Sequence, residues 1–342
     1  MTGGAGFIGS HVAEHFSSKH DTIIVCDNLS RQQTLETKIG DQFFNWHYLE
    51  SKYPRIEMHR IDLRDFNALR RIAGDARIIV HTAAQVAVSS SLKDPRTDFE
   101  TNVAGTLNVL EVARLTDSAV VFCSTNKVYG ENVNVLPIVE TRTRYRYDRA
   151  HAYGIGEGFS LDQTGHTPYG SSKLSADIYV QDYAHTYGLK TGVFRMSCIY
   201  GERQFGVEDQ GWLAWFIIAS LIRKPITIFG NGKQVRDVLY VKDLVDAFDR
   251  FLRSKLKHGV FNMGGGPRNT LSLLELLEEL RKLTGTYPQI SFSAWRSADQ
   301  KVYISDIRKA QEQLGWKPTI SPLEGVKRVL RWARQNKKLF DG

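Results

Sequence analysis

Tyr169 and Lys173 are four residues apart, a spacing that places both side chains on one face of a helix. A cationic lysine beside a phenol favours the phenolate and lowers a pKa that is ordinarily about 10. A tyrosine tuned in this way can take the proton of a hydroxyl group while a hydride leaves the same carbon. The pair therefore predicts proton transfer coupled to a redox cofactor, although Tyr-x-x-x-Lys also occurs often by chance.

A glycine-rich segment, Thr2–Gly9, supplies the expected cofactor site. Glycines at positions 3, 6 and 9 allow a sharp turn, let backbone N–H groups approach a pyrophosphate, and let the next helix pack closely. The following predicted strand ends near Asp27, and a carboxylate at this distance holds a ribose hydroxyl of NAD and repels the 2′-phosphate of NADP. Arg31 lies nearby and keeps NADP open as an alternative. We predict NAD as the cofactor.

The start of the chain departs from the usual pattern of dinucleotide-binding sheets. Only Met1 and Thr2 precede the glycine loop, whereas a typical strand has about five or six residues. The central strand of the sheet should stand at this point. We therefore expect a short apolar strand to precede Met1 in the natural gene product, and the intact mass of that product tests this expectation.

Short β-branched runs alternate with helical patterns through the first 200 residues. The predicted strands cover residues 22–26, 77–80, 119–123 and 190–195. The predicted helices cover residues 103–115, 172–187, 212–222 and 269–284. This alternation predicts an α/β fold, a Rossmann doubly wound parallel sheet with a smaller C-terminal α/β substrate lobe. The NAD-binding domain is expected to cover residues 1–198, with 237–262 returning to it, and the lobe to cover 199–236 and 263–342.

Composition is that of an ordinary soluble globular protein, with 42% hydrophobic and 24% charged residues in a chain of 342. The three cysteines, Cys26, Cys123 and Cys198, form no Cys-x-x-Cys pair, which favours a reducing compartment and a cytoplasmic location. The most apolar run, residues 212–222, is shorter than the roughly 20 residues that cross a bilayer. We predict no membrane association and no metal site.

The net charge of +8 suits anionic small molecules and nucleic acids alike. A loop-like stretch at residues 140–169 carries four arginines among tyrosines, at positions 142, 144, 146 and 149. Such a run can bind single-stranded nucleic acid. We interpret it as a solvated or substrate-facing loop and predict no nucleic-acid partner, because nothing else in the chain supports one.

Together these motifs resemble the extended short-chain dehydrogenase/reductase family, specifically its NAD-dependent nucleotide-sugar epimerases and dehydratases. The resemblance covers essentially the whole chain. It is carried by the segments Gly3–Gly9, Asp27–Ser30, Asp62–Leu63, Thr82–Gln85, Asn102–Thr106, Ser124–Gly130, Tyr169 with Lys173, and Tyr200–Gln204. It implies that the C-terminal lobe binds a nucleotide sugar and that the protein is a homodimer through the helix carrying Tyr169 and its neighbour.

The resemblance also implies roles for individual residues. Thr125 is expected to complete a catalytic triad with Tyr169 and Lys173. Besides Tyr169 and Lys173, the residues expected to contact the cofactor are Gly3, Gly6, Phe7, Ile8, Gly9, Asp27, Asn28, Asp62, Leu63, Ala83, Ala84 and Asn102. The residues expected to contact the substrate are Gln85, Asn126, Ser197, Cys198, Arg203 and Arg236. The two arginines suit a diphosphate, which a guanidinium group binds with two hydrogen bonds.

Two residues after the triad threonine separate the branches of this family. Dehydratases that act on dTDP-glucose carry an Asp-Glu pair there, as the acid and base for water elimination, whereas this chain has Asn126-Lys127. Elimination is therefore disfavoured. The segments Gln85–Ala87, Ser124–Gly130, Arg203–Phe205, Asp209–Trp212 and Gly230–Leu239 instead resemble the epimerases that act on C2 of CDP-linked hexoses.

The predicted reaction is NAD-dependent epimerisation through a transient keto-sugar, most similar to the interconversion of CDP-paratose and CDP-tyvelose for polysaccharide biosynthesis. Residue chemistry alone does not distinguish C2 from C4. A 4-epimerase of UDP-glucose or UDP-glucuronate is therefore the first alternative. A non-catalytic NAD-binding protein is the second, and the complete set of Thr125, Tyr169 and Lys173 argues against it.

Overall fold

The computed structural model describes residues 1–19, 22–35, 37, 41, 43–296 and 298–340. The described strands are β1 (Ile23–Asp27), β2 (Ile56–Arg60), β3 (Ile78–His81), β4 (Ala119–Thr125), β5 (Ile138–Glu140), β6 (Tyr145–Tyr147), β7 (Thr191–Met196), β8 (Cys198–Tyr200), β9 (Ile226–Phe229), β10 (Val235–Tyr240), β11 (His258–Met263), β12 (Thr270–Ser272), β13 (Ile290–Ser293) and β14 (Val302–Tyr303).

The described α-helices are α1 (Phe7–Ser17), α2 (Arg31–Thr34), α3 (Phe44–Lys52), α4 (Phe66–Ala73), α5 (Val88–Lys93), α6 (Pro95–Phe99), α7 (Gly105–Thr116), α8 (Thr167–Tyr187), α9 (Trp212–Leu221), α10 (Val241–Arg253), α11 (Leu273–Thr284), α12 (Arg308–Leu314) and α13 (Pro322–Gln335). A π-helical turn, Glu100–Ala104, joins α6 to α7. Two 3₁₀ segments cover Asn126–Val135 and Lys337–Leu339. None of the described helices is long and apolar enough to span a membrane.

The chain divides into two compact units. The first contains Met1–Val128, Thr167–Arg195 and Val245–Phe261, and the second contains Tyr129–His166, Met196–Leu244 and Asn262–Gly342. Compared with the bounds expected from the sequence, the second unit includes the segment Tyr129–His166. Which ligand each unit binds stays a prediction.

A sheet in the order β2-β1-Thr2-β3-β4-β7-β11 forms the centre of the first unit. Thr2 makes parallel bridges to Cys26 of β1 and to His81 of β3. The Thr2 N–H donates to the Val80 carbonyl oxygen at 3.1 Å. Residues at the start of the chain therefore occupy the central strand position between β1 and β3, and the existence of a preceding strand stays a prediction. The β1–β2 and β3–β4 pairs are parallel, and the predicted α/β Rossmann class is confirmed.

The first unit's core lies on β4. Val120 and Phe122 of this strand are fully buried and belong to one cluster with Leu110 of α7 and Val180 of α8. Continuous burial along β4 is typical of a parallel strand that helices cover on its faces. This packing fixes the position of α8 against the strand whose end carries Thr125.

The second unit combines several small sheets with buried helices. In one sheet, β10 pairs with β12 in antiparallel and with β14 and β8 in parallel orientation. The predicted helix at residues 269–284 begins only at Leu273, after β12, because Ser272 and Glu275 form a capping box that starts it there. The predicted Arg-rich loop contains the β5–β6 hairpin, in which Tyr145 and Tyr147 are buried and Arg146 is exposed.

Candidate active site

The glycine loop connects Thr2 to α1 through positions that only glycine fits. Gly3 has φ +65°, and a Cβ there would lie 2.6 Å from Cα and N of Ala83. A Cβ at Gly9 would lie 2.2 Å from the Gly3 carbonyl oxygen, and one at Gly6 would lie 3.0 Å from the same atom. The loop leads into α1 at Phe7 and the partly buried Ile8, where helix N–H groups and the helix dipole suit a phosphate.

Replacing Gly9 by Ala should therefore disrupt cofactor binding. The added methyl group meets backbone atoms of Gly3 and Gly4, which cannot turn aside as a side chain can. We expect NAD occupancy of the purified protein to fall and the free energy of unfolding to decrease by about 1–3 kcal/mol. Gly158→Ala is the matched control, because no atom lies within 4 Å of a Cβ at Gly158. Equal NAD content in the two variants would contradict the role of the loop.

Asp27 ends β1 beside the glycine loop. Its Oδ2 accepts a hydrogen bond from the Ala5 N–H at 3.0 Å, and its Oδ1 accepts one from the Leu29 N–H at 2.8 Å. Burial raises the pKa of Asp27, and the backbone donors oppose that rise. Each carboxylate oxygen has two lone pairs, so Asp27 can still accept a ribose hydroxyl.

Three further predicted cofactor residues follow β1 and β2 at the same edge of the sheet. Asn28 Nδ2 donates to Asp62 Oδ2 at 3.2 Å. Hydrogen bonds from Arg64 lower the pKa of Asp62 to about 2, so this carboxylate is ionised at neutral pH. Leu63 is buried in the core of the first unit. The carboxyl ends of parallel strands are the edge at which such folds bind ligands.

Asn102 clamps the loop that follows β3. Its Oδ1 accepts from the Gln85 N–H at 2.9 Å, and its Nδ2 donates to the Gln85 carbonyl oxygen at 3.0 Å. The neighbouring Ala83 and Ala84 are partly buried in this loop. Asn102 itself lies in the π-helical turn between α6 and α7, and such turns are frequent at functional sites.

The structure brings Thr125, Tyr169 and Lys173 together at the end of β4. All three are buried, with 7%, 8% and 3% of their surface exposed. A side-chain interaction with Thr125 lowers the pKa of Tyr169, so the two hydroxyl groups lie near each other. Lys173 Nζ lies 4.1 Å from the centre of the Phe122 ring on β4. The three side chains thus belong to two elements, β4 and α8, that the core holds together.

The environment sets the protonation of this group. Burial raises the pKa of Tyr169 to about 12, and the hydrogen bond with Thr125 opposes the rise. Burial lowers the pKa of Lys173 to about 8, so it is mainly cationic at neutral pH. Tyr169 is therefore a phenol at neutral pH, able to donate a proton to a keto oxygen, and Thr125 favours the phenolate that the reverse step needs. That Lys173 lowers the pKa of Tyr169 stays a prediction.

Two of the predicted substrate residues, Gln85 and Asn126, lie in the first unit and are buried. Asn126 adjoins the triad, since its Oδ1 accepts from the Thr125 hydroxyl at 3.4 Å. The Gln85 Nε2 group donates to the Ala87 carbonyl oxygen at 2.9 Å and to Asp98 Oδ1 at 2.8 Å. Both amide hydrogens of Gln85 are thus used within the chain.

Ser197 and Cys198 lie in the second unit. Cys198 is the first residue of β8, and Ser197 directly precedes it. The Ser197 hydroxyl is hydrogen bonded to Asp237 Oδ1 at 2.5 Å. The Trp212 Nε1–H donates to Cys198 Sγ at 3.2 Å. Both side chains are partly exposed.

The two predicted diphosphate-binding arginines also lie in the second unit. Arg203 is buried and has φ +62°, a conformation that costs energy for a residue with a side chain and is typical of functional sites. Arg236 forms an ion pair with Asp299, with 2.7 Å between Nη2 and Oδ1, and donates to the Gln300 carbonyl oxygen at 2.6 Å. Asp299 and Gln300 orient this guanidinium group.

Two buried carboxylates beside the triad were not predicted from the sequence. Asp98 lies four residues before Asn102, and Asp177 lies four residues after Lys173. This spacing places each acid on the same helix face as a predicted site residue. It is the local feature of the sequence from which the two acids could have been predicted. Within the described residues, no group of three or more His, Cys, Asp and Glu side chains is arranged to hold a metal ion.

The geometry of these residues makes the first unit suitable for binding a dinucleotide. A Cβ at Gly3 or Gly9 would clash with backbone atoms, a carboxylate ends β1, and the tyrosine–lysine pair lies in the same unit. The fold and the site together define the class of dinucleotide-dependent enzymes.

Comparisons with known proteins agree with that class. Residues 1–264 match the model of the NAD dependent epimerase/dehydratase family. A CDP-paratose 2-epimerase from Salmonella typhi is 40% identical, over 97% of this chain and 98% of its own. The solved UDP-glucose 4-epimerase of Thermotoga maritima, with UDP-glucose, is 31% identical with a TM-score of 0.81, covering 98% of both chains. The UDP-glucuronic acid 4-epimerase of Bacillus cereus, with UDP-glucuronic acid and NAD, is 25% identical with a TM-score of 0.81, again covering 98% of both.

The chain belongs to the NAD dependent epimerase/dehydratase family. The predictions of an enzyme, of NAD as its cofactor and of nucleotide-sugar epimerisation as its class of reaction are confirmed.

Proposed function

We propose that the protein epimerises C2 of a CDP-linked hexose, in the manner of CDP-paratose and CDP-tyvelose. The convergence of Thr125, Tyr169 and Lys173 in the unit that contains the glycine loop carries the chemical part of this proposal. The CDP carrier and the C2 position rest on the relative that is 40% identical over nearly its whole length and is named a CDP-paratose 2-epimerase.

Bound NAD supplies the chemistry of removing a hydride from the sugar carbon and returning it to the opposite face. The chain's own residues handle the proton. Tyr169 removes the proton of the hydroxyl group and later returns it to the keto oxygen, while Thr125 lowers the pKa of the phenol and so favours its ionised form. Lys173 contributes a buried positive charge on the same helix face. The protein's part is orientation and electrostatics.

The residue assignments form part of this proposal. Asp27 holds a ribose hydroxyl, and the glycine loop holds the pyrophosphate. Asn28, Asp62 and Leu63 lie at the adenine end, and the loop through Ala83, Ala84 and Gln85 belongs to the nicotinamide end, where Asn102 clamps it. In the second unit, Arg203 and Arg236 bind the diphosphate, and Ser197 and Cys198 lie at the sugar.

A 4-epimerase of a UDP-sugar is the second candidate. The similarity to the UDP-glucose 4-epimerase of Thermotoga maritima favours it, since that chain shares the fold over 98% of its length. The triad serves oxidation at C2 and at C4 equally well, so the substrate decides between the two candidates.

Proton NMR of the purified protein decides between them. We would add CDP-glucose, CDP-paratose, UDP-glucose and UDP-galactose separately, without added NAD. A new C2 epimer from a CDP-sugar is the expected result, and it would also show that the cofactor is retained. Interconversion of only the two UDP-sugars would contradict the proposal and favour the 4-epimerase.

We further propose that the protein is a cytoplasmic homodimer that serves polysaccharide biosynthesis. Cys26, Cys123 and Cys198, all within the described residues, form no disulfide, in keeping with a reducing compartment. Large apolar side chains of the first unit are exposed on neighbouring helices, which is typical of a protein–protein interface. They are Leu92 of α5, Phe99 of α6, Leu115 of α7, and Ile178, Tyr179 and Tyr187 of α8.

Replacing Ile178 by Asp should dissociate this dimer. Ile178 is 53% exposed, and a carboxylate at its position would have to be desolvated in an interface formed by α8. Sedimentation velocity is expected to show a dimer for the unmodified protein and a monomer for the variant. Leu323→Asp, at an exposed leucine of the second unit, is the control that should remain dimeric. A dimer that survives Ile178→Asp would contradict this interface.

A further inference from the structure

A buried carboxylate that has no role in the reaction described above lies next to the triad. Asp98 of α6 is 1% exposed. Its Oδ1 accepts from Gln85 Nε2 at 2.8 Å and from Asn102 Nδ2 at 3.2 Å, and its Oδ2 accepts from the Ser172 hydroxyl at 2.5 Å. These three partners belong to the loop after β3, the π-helical turn and α8. Asp98 is therefore the point at which three segments of the site meet.

The hydrogen-bond partners of Asp98 are neutral, whereas Asp177, the other buried acid near the triad named above, is paired with an arginine. Asp177 forms a two-point ion pair with Arg195, at 3.0 and 3.1 Å, so its charge is balanced. Asp98 is held by amide and hydroxyl donors, which stabilise an anion without cancelling its charge. Burial raises the pKa of Asp98, and the hydrogen bonds from Ser172 and Gln85 and the charge of Lys173 oppose that rise. A buried charge acts over a longer distance than an exposed one, because water does not screen it.

Tyr169 and Lys173 lie within the field of that charge. Ser172, which donates to Asp98, directly precedes Lys173 on α8 and also contacts the Tyr169 carbonyl oxygen at 3.1 Å. Burial is the largest influence on the pKa of both groups, raising that of Tyr169 and lowering that of Lys173. The carboxylate of Asp98 raises the pKa of each, and for Lys173 it acts in the same direction as the larger influences of Cys123 and Asp177.

Other titratable groups also face Lys173, and each differs from Asp98. Cys123 lies on β4, and burial raises the pKa of its thiol to about 12, so it is neutral. His81 lies on β3, and burial lowers the pKa of its ring to about 3, so it is neutral too. Asp177 lies on the same helix as Lys173 and is paired with Arg195. Asp98 and the ammonium group of Lys173 act on each other as opposite charges, since Lys173 lowers the pKa of Asp98 and Asp98 raises the pKa of Lys173.

We propose that Asp98 is a positioning residue for the epimerisation, whose buried negative charge sets the pH at which Tyr169 and Lys173 exchange protons and whose hydrogen bonds hold their helix against the loop after β3. The inference rests on the proposed function, because it takes Tyr169 as the proton carrier. It also gives Gln85 a role, since both amide hydrogens of Gln85 hold this arrangement, at Asp98 and at the Ala87 carbonyl oxygen.

Asp98→Asn tests the charge, because the amide has the same shape and can both accept and donate at these positions. A nearby anion disfavours a phenolate and favours an ammonium group, so its removal lowers both pKa values. We expect the Tyr169 phenol to ionise at a pH lower by about one pH unit, and both limbs of the pH profile of kcat to move the same way. Asp94→Asn is the control. Asp94 is an exposed N-cap of the same helix, and Asn caps equally well, so the profile should not move.

NMR of protein labelled with ¹³C at the tyrosine Cζ follows the phenol directly, and the Tyr169→Phe spectrum assigns its resonance. This titration needs no substrate, so it fails or succeeds independently of which sugar the enzyme uses. An unchanged Tyr169 titration in Asp98→Asn would overturn the inference and leave the proposed function standing.

Ser172→Ala separates charge from structure, because it removes a hydrogen bond to Asp98 and keeps the carboxylate. We expect its Tyr169 titration to stay near that of the unmodified protein. Equal displacement in Ser172→Ala and Asp98→Asn would assign the effect to packing and overturn the inference. If Asp98→Asn does not fold, Asp98→Ser is the second neutral variant, with the same expected displacement and the same contradicting result.

Discussion

Tyr169→Phe should lower turnover by about 1,000-fold while the protein keeps its bound NAD. General acid–base catalysis by a positioned side chain contributes about 10²- to 10⁴-fold, and the variant removes only the hydroxyl that exchanges the proton. The aromatic ring stays in place on α8, and the interaction of its hydroxyl group with Thr125 is lost. The measurements are kcat for the sugar substrate, and NAD released on denaturing the protein.

Tyr179→Phe is the matched control, since Tyr179 lies on the same helix and is 44% exposed. It should leave both turnover and NAD content unchanged. Unchanged turnover in Tyr169→Phe would show that this tyrosine has no role in the mechanism. It would favour the alternative of a non-catalytic NAD-binding protein. Loss of NAD from the same variant would mean that Tyr169 chiefly holds the cofactor.

Asp177→Ala should produce a large loss of stability. Asp177 is fully buried, and it accepts two hydrogen bonds from Arg195 and one from the Ser124 hydroxyl at 2.6 Å. The substitution leaves the buried guanidinium group without its carboxylate, which typically costs about 3–5 kcal/mol. Ser124 precedes Thr125 on β4, and Asp177 lies one turn after Lys173 on α8. The hydrogen bond between Ser124 and Asp177 therefore also joins the two elements that carry the triad. Urea unfolding, with the midpoint and slope compared, measures the loss.

An exposed pair of the same kind is the control for Asp177→Ala. Asp246 and Arg250 on α10 form an ion pair at 2.7 Å, and about two fifths of each side chain is exposed. Exposed pairs typically contribute about 0–1 kcal/mol, so Asp246→Ala should change the free energy of unfolding by no more than that. Similar losses in the two variants would contradict the importance of the buried pair.

Local sequence patterns predicted the parts of the site that depend on local structure. The β-branched runs at residues 77–80 and 119–123 correspond to β3 and β4 within two residues at each end. The glycine loop could be predicted because the contact that requires glycine is local: Gly9 lies against the backbone of Gly3, only six residues away. The Arg-rich stretch, by contrast, was interpreted as a loop and contains a hairpin, in which Tyr145 and Tyr147 are buried on one face and Arg146 is exposed.

Long-range hydrogen bonds account for what local patterns could not show. Asp98 contacts Ser172, which is 74 positions away, and Arg236 pairs with Asp299, which is 63 positions away. A hydrophobic period or a turn signal carries no information about such pairs, since they form only when separate elements pack. The same applies to Gln85, whose polar side chain suggests a ligand contact until its partners are known.

The fate of the hydrogen on the epimerised carbon tests the central claim most directly. We would incubate the protein with CDP-paratose carrying deuterium at C2, in ordinary water, and follow the product by NMR. Transfer through bound NAD, with Tyr169 moving only the hydroxyl proton, predicts that the epimer keeps its deuterium at C2. A product with solvent hydrogen at C2 would contradict the account, because it would mean that the carbon itself had been deprotonated.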